Sequence, residues 1–174
     1  MAIARGLSKA EYMEKGGMVA RSGDVYLHRD GLKETMVCNG CRAIYRNKRW
    51  STGDPSMVDT SGEMTGNELL CPACQRMHDH NPAGIATFAG AYLVAHEDEI
   101  LNAIRNEEAK TRTKNPLARI MEIRQEGNEL TVLTTDEKLA EKLGRDIFKA
   151  HSGDLAFQWT KAANFVRVNW SRQE

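Results

Sequence analysis

The sequence predicts an α+β protein in which an N-terminal four-cysteine zinc ribbon precedes a helix and an antiparallel ββαββ unit. Three observations lead to this prediction. Two CxxC pairs, CNGC at 38–41 and CPAC at 71–74, are separated by 29 residues. A helical segment follows them and ends at a proline. The C-terminal third then alternates between strand-like and helix-like patterns of apolar residues.

The chain divides into three predicted segments. Residues 1–35 show no sustained apolar period and contain several glycine turns, which predicts a basic, partly extended N-terminal arm. Residues 36–95 contain all four cysteines and are assigned to a zinc-ribbon domain. Residues 96–174 are assigned to an α-ββ-α-ββ domain. At 174 residues the chain is long enough for two small domains.

Short strands are predicted around the cysteine pairs of the ribbon. Residues 36–50 indicate a strand that enters the first pair and a second strand that leaves it. A polar connection at 51–67 leads to the second pair, and the glycine-bracketed segment 84–90 indicates a third short strand of the ribbon.

The predicted C-terminal domain begins with a helix that starts between Ala91 and Glu97 and stops before Pro116, because the residue before proline avoids the helical conformation. Strands at 117–124 and 129–134 flank a glycine turn and form a predicted hairpin.

A second helix is predicted after this hairpin. Asp136 is suited to the start of the helix, and Gly153 lies just beyond its end. Leu139, Leu143 and Ile147 recur every four residues and give the helix one buried face. Alternating residues in the last twenty positions indicate two more strands.

The cysteines predict one structural zinc ion with Cys38, Cys41, Cys71 and Cys74 as its ligands. Zinc favours four tetrahedral ligands, and a CxxC turn directs two sulfurs at one ion. Two such turns supply every ligand and leave no open position, which favours a structural role over a catalytic one. The alternative is a pair of unlinked dithiols that are redox-active or simply buried.

Local charge indicates a polyanion partner although the net charge is zero. Residues 1–50 contain ten Lys and Arg against five Asp and Glu. Cations near the cysteine pairs can hold phosphates, and aromatic faces can stack on bases. The candidate nucleic-acid-binding residues are Arg42, Arg46, Lys48, Arg49, Trp50 and Arg76. The alternative is that Tyr45 and Trp50 pack in the ribbon core while the cations only solvate its edge. Arg119, Arg124, Arg167 and Arg172 are a weaker set, predicted on an open sheet face.

Other function classes have no support in the sequence. The nucleotide-binding and hydrolase motifs GxxxxGK[ST], GxGxxG, HExxH and GxSxG do not occur, so no enzyme and no small-molecule substrate are predicted. No apolar run is long enough for a membrane helix or a secretory signal. We therefore expect a cytoplasmic protein.

Six segments carry a resemblance to a known family: VCNGCRAIYRNKRW, CPACQRMHDHNPAGI, HEDEI, NPLARIMEI, TTDEKLAEKLG and FVRVNW. Together they span about residues 36–172 and resemble a family of bacterial zinc-ribbon proteins. That family is distantly similar to the zinc-binding and following α/β regions of the large-ribosomal-subunit nuclear export adaptor. The resemblance implies a ribosome- or RNA-associated zinc protein without catalytic activity. Among the functional residues of the family, the resemblance assigns a role only to the four cysteines of this sequence, as metal ligands.

The leading hypothesis is a non-enzymatic, zinc-stabilised protein that binds ribosomal or other structured RNA. A zinc-ribbon adaptor for a protein partner is the second hypothesis, which the near-neutral net charge favours. A thiol or zinc redox sensor is the third.

Overall fold

The computed structural model describes residues 24–27, 32, 34–53, 67–160 and 164–174. These residues form a mixed α+β structure with two sheets and four helices. Most of the predicted arm at 1–35 and most of the predicted connection at 51–67 lie outside the described residues.

The described strands are β1 (Met36–Cys38), β2 (Ile44–Arg46), β3 (Arg49–Ser51), β4 (Asn67–Leu69), β5 (Gly84–Ala89), β6 (Ile120–Glu126), β7 (Glu129–Thr134), β8 (Asp154–Thr160) and β9 (Phe165–Ser171). The described helices are α1 (Pro72–His78), α2 (Ala91–Ala95), α3 (Glu97–Lys114) and α4 (Glu137–His151).

The smaller sheet has the strand order β3-β2-β1-β4. Strand β1 is antiparallel to β2 and parallel to β4, and each of the four strands is only three residues long. Cys38, Ala43, Cys71 and Ala73 form one buried cluster, and the sheet also buries Val37, Ile44 and Tyr45. Full burial contributes about 1.5–3 kcal/mol for each large apolar side chain. A core with so few of them leaves this half of the protein dependent on another source of stability.

The larger sheet has the strand order β6-β7-β5-β9-β8, with β5 at its centre. We assigned this strand to the zinc ribbon, and that assignment is wrong, because β5 pairs antiparallel with β7 and parallel with β9. The sheet is therefore mixed rather than purely antiparallel. Gly84, Ala86 and Phe88 of β5 are buried, and a Cβ on Gly84 would lie 2.5 Å from the Cβ of Ala140, so the small residue lets α4 approach the strand.

Helix α4 covers one face of this sheet and α3 packs against α4. The boundaries of α4 agree with the prediction, and the Asp136 carboxylate caps it by accepting a hydrogen bond of 2.9 Å from the backbone N–H of Leu139. The helix predicted from 91–97 onward is interrupted at His96, whose backbone leaves the helical region, so α2 and α3 are separate. The core between helices and sheet includes Phe88, Leu130, Leu139, Leu143, Ile147, Val168 and Trp170.

Gly144 tests how closely α4 packs on the sheet. A Cβ at this position would lie 2.4 Å from Cγ1 of Val168. Helix propensity alone would make Gly144→Ala more stable by about 1 kcal/mol, whereas overpacking costs about 1–3 kcal/mol. We expect Gly144→Ala to lower the free energy of unfolding, measured by denaturant titration. The control Asn106→Ala, at an exposed position of α3, should raise the free energy of unfolding slightly. A Gly144→Ala protein at least as stable as the wild type would contradict this close packing of α4 on the sheet.

Candidate metal centre

The sulfur atoms of Cys38, Cys41, Cys71 and Cys74 all lie within 4.8 Å of one another. The cysteines are free rather than disulfide-bonded, and the sulfurs of Cys41 and Cys71 are 3.7 Å apart. Four thiolates at about 2.3 Å from one tetrahedral ion would be about 3.8 Å from each other. The cluster could therefore hold one four-coordinate metal ion.

The first cysteine pair lies in the tight turn between β1 and β2. The N–H of Arg42 donates to the carbonyl of Cys38 at 2.8 Å, and the N–H of Cys38 donates to the carbonyl of Ala43 at 2.8 Å. A Cβ on Gly40 would lie 2.9 Å from the sulfur of Cys74, so only glycine fits between the two halves of the cluster. The turn thus brings Cys38 and Cys41 onto the second pair.

The sequence analysis predicts short strands around the second cysteine pair. In the structure this pair instead begins helix α1. Cys71 is the N-cap residue, and its sulfur accepts a hydrogen bond of 3.4 Å from the N–H of Cys74. Pro72 occupies the first turn, where its missing N–H costs nothing. The N–H of Cys71 donates to the sulfur of Cys38 at 3.2 Å. Backbone N–H groups of a helix start therefore stabilise negative charge on the sulfurs.

Arg119 contacts the cluster from the larger half of the protein. Its Nη2 lies 3.0 Å from the sulfur of Cys74 and 3.9 Å from that of Cys71, and the residue is only 6% exposed. The N–H of Arg119 donates to the hydroxyl of Thr135 at 2.9 Å, and the N–H of Thr135 donates to the carbonyl of Arg119 at 2.9 Å, which holds Arg119 just before β6. We predicted Arg119 on an open sheet face, and this is wrong. No local pattern indicates the contact, because 45 residues separate Arg119 from Cys74.

Charge on the cluster is shared among its members. The hydrogen bond from Cys71 lowers the pKa of Cys41 to about 4, and the same bond, together with burial, raises the pKa of Cys71. Burial also raises the pKa of Cys74, against the effect of Arg119. The hydrogen bond and charge of Cys74 raise the pKa of Arg119 although burial alone would lower it. A metal ion must displace the remaining thiol protons, so its affinity should increase with pH.

Four of the candidate nucleic-acid-binding residues are exposed beside the cluster: Arg42, Arg46, Lys48 and Arg49. Trp50 is half-buried, packs against the buried cluster that contains Cys38 and Cys71, and has its ring centroid 5.4 Å from that of Tyr45. The indole therefore has a packing role.

Arg76 lies in α1 and is only 6% exposed. Its guanidinium forms an ion pair of 2.9 Å with Asp24, donates to the carbonyl of Asn81 at 3.2 Å, and lies 4.6 Å from the ring centroid of Tyr26. These contacts leave Arg76 poorly placed to bind a phosphate.

No protein-family model, curated protein or solved structure matches this chain. Within the described ranges, no helix is long and apolar enough to span a membrane. The resemblance inferred from the sequence motifs therefore stays a prediction, and the geometry of the site carries the functional inference.

Substitution of one ligand tests the metal centre. We expect one divalent metal ion per wild-type chain and none in Cys71→Ser, measured by elemental analysis of purified protein. Serine retains the capability to cap α1, so the loss should come from the missing thiolate. A folded wild-type protein that contains no metal and takes up none would contradict the assignment.

Substitution of Arg119 tests its electrostatic role. Loss of a group that hydrogen-bonds to a metal ligand typically lowers metal affinity by about 10–100-fold. We expect a decrease of this size for Arg119→Met in competition with a chelator, and a smaller decrease for Arg119→Lys. Arg167→Met, at an exposed position of β9, should have wild-type affinity. Equal affinity in Arg119→Met and Arg167→Met would show that the contact with Cys74 is unimportant.

Proposed function

We propose that this protein is a non-enzymatic RNA-binding protein, stabilised by one structural zinc ion, that binds ribosomal or other structured RNA. The four clustered thiols support the zinc ion, because zinc favours a tetrathiolate donor set. Four protein ligands would complete the coordination, so the ion would have no open position for a substrate or water. A structural role for the metal fits this closed site.

The RNA-binding surface that we propose is the tip of the β2–β3 hairpin. Arg46 and Arg49 are directly opposite each other in the register, and Asn47 and Lys48 form the turn between them. All four residues are exposed. Three cations thus project from four consecutive positions, an arrangement suited to phosphate groups.

The hairpin is fixed to the cysteine cluster at its base. Tyr45 is buried, and its ring contacts that of Trp50, which is the residue paired with it across the hairpin. Trp50 in turn packs on the buried cluster that contains Cys38 and Cys71. The metal site would therefore hold the cationic tip in one orientation, which lowers the entropy cost of binding a partner.

Local energetics at the tip favour a binding role. Asn47 and Lys48 both have positive φ, of 53° and 63°, a conformation that costs a residue other than glycine about 1–2 kcal/mol. Glycine is the usual residue after asparagine in this turn type. A lysine placed there at the expense of stability is consistent with selection for its charge.

One observation favours an adaptor for a protein partner as the second candidate function. Trp159 of the edge strand β8 is 41% exposed and Phe148 of α4 is 40% exposed. Large aromatic side chains are enriched at the centres of protein interfaces. Trp159→Ala would then abolish partner binding without changing the affinity for RNA.

Replacement of the three cations tests the RNA-binding proposal. We expect Arg46→Gln/Lys48→Gln/Arg49→Gln to weaken binding to purified ribosomal RNA and to lose co-sedimentation with ribosomes at moderate salt. If three phosphate contacts are lost, the slope of log affinity against log salt should fall by about 2 to 3. Fluorescence anisotropy at several salt concentrations measures this slope.

The matched control is Arg105→Gln/Arg112→Gln/Lys149→Gln, which removes the same charge from exposed positions on α3 and α4. This control should bind RNA with nearly the wild-type salt slope. An equal loss in both triple variants would mean that only net charge matters, and unchanged binding in the hairpin variant would exclude the hairpin as the RNA surface.

A further inference from the structure

A groove of about 210 Å³ lies between the C-terminal end of α3 and the N-terminal end of α4. Four lysines line it, Lys110 and Lys114 from α3 and Lys138 and Lys142 from α4, together with Thr111 and Asn115. Four cationic side chains around one depression give a local concentration of positive charge in a protein with zero net charge.

Two of these lysines are held by a buried acid. Glu107 is only 7% exposed; it pairs with Lys142, lies 3.9 Å from Lys110, and accepts a hydrogen bond of 2.8 Å from the hydroxyl of Thr111. The carboxylate of Glu107 therefore offsets the charge of Lys142 and holds that side chain in place, while Lys110 lies farther from it.

The other two lysines, Lys114 and Lys138, are exposed at the rim. Neither forms an ion pair with another residue in the part of the chain that the structure describes. Lys138 lies in the first turn of α4, where the helix dipole is positive and an acidic residue would be more favourable. Lysine at this position adds to the positive potential of the groove instead of reducing it.

Charge and size together restrict the ligand. Asp136 is the acid that lines the groove, and its carboxylate is occupied as the cap of α4. The groove is smaller than the roughly 300–1,000 Å³ of typical small-molecule sites, so it suits one or two anionic groups and not a whole cofactor. Lysines act as point charges for phosphate, and the side-chain N–H groups of Asn115 are neutral donors that could hydrogen-bond to its oxygens.

The groove adjoins the proposed metal centre. Asn115 lines the groove, and its side-chain oxygen accepts a hydrogen bond of 3.1 Å from the N–H of Leu117, which packs against the cysteine cluster. The groove is therefore connected to the buried cluster of the smaller half through Asn115 and Leu117.

We propose that this lysine groove binds a phosphate group of the RNA backbone, as a contact separate from the β2–β3 hairpin. The assignment of the phosphate to RNA rests on the proposed function, whereas the phosphate chemistry rests on the groove itself. Lys114 and Lys138 would supply the direct contacts, because Lys110 and Lys142 face the carboxylate of Glu107.

The test combines an RNA titration with a titration of inorganic pyrophosphate. Lys114→Gln/Lys138→Gln removes the rim cations and leaves the ion pairs of Glu107 intact. Arg112→Gln/Lys149→Gln is the control, because it removes two exposed cations of the same helices outside the groove. We expect the groove variant, but not the control, to reduce the salt slope for RNA by about 1.4. Pyrophosphate should shift the amide resonances of 114–115 and 138–139 in the wild type and not in the groove variant.

The outcomes separate the two proposals. Salt slopes that are equal in the groove variant and its control would exclude an RNA contact at the groove, while a loss of binding in the hairpin variant would still support the proposed function. If the wild type binds no RNA, the proposed function is wrong. Chemical-shift changes confined to the groove on addition of pyrophosphate would then still support a phosphate site. If pyrophosphate caused no chemical-shift changes there, the phosphate site would be excluded.

Discussion

Four sulfur atoms from two distant parts of the chain lie within 4.8 Å of one another. The stability of the smaller half of the protein depends on this cluster. Its strands are three residues long, and its large buried side chains are Val37, Ile44 and Tyr45, beside a cluster of alanines and cysteines. A metal ion in such a site contributes roughly 10–16 kcal/mol in small zinc peptides. That is more than so few apolar side chains can provide, at about 1.5–3 kcal/mol each. The orientation of the β2–β3 hairpin follows from this same constraint, because Trp50 packs on the buried cluster that contains Cys38 and Cys71.

The larger half has a different source of stability. Its sheet of five strands and its two long helices enclose an extensive apolar core. Arg119 connects this core to the cluster, because its backbone is held by Thr135 while its guanidinium contacts Cys74. A buried guanidinium without a negative partner is strongly unfavourable. The position of the smaller half against the sheet is therefore coupled to the charge on the sulfurs, and thus to metal binding.

Local patterns were enough to predict several parts of this structure. The spacing of the cysteines predicts that they cluster, and the leucine and isoleucine repeat with Asp136 at its start predicts α4. Contacts between distant residues were not predictable in this way. The pairing of β5 with β7 and β9 depends on partners about 45 and 80 residues away, and its glycines mark a close approach without identifying the neighbour. The prediction for Arg119 was wrong for the same reason. An isolated arginine beside a strand gives no indication of which buried atom its side chain contacts.

X-ray absorption spectroscopy at the zinc edge, on protein purified with its native metal, tests the tetrathiolate centre most directly. The geometry predicts a single shell of four sulfur ligands at about 2.3 Å, with no nitrogen or oxygen neighbour at about 2.0 Å. A mixed shell with nitrogen or oxygen ligands, or zinc-free protein in which these cysteines are linked as disulfides, would contradict the metal centre and the hairpin orientation that depends on it.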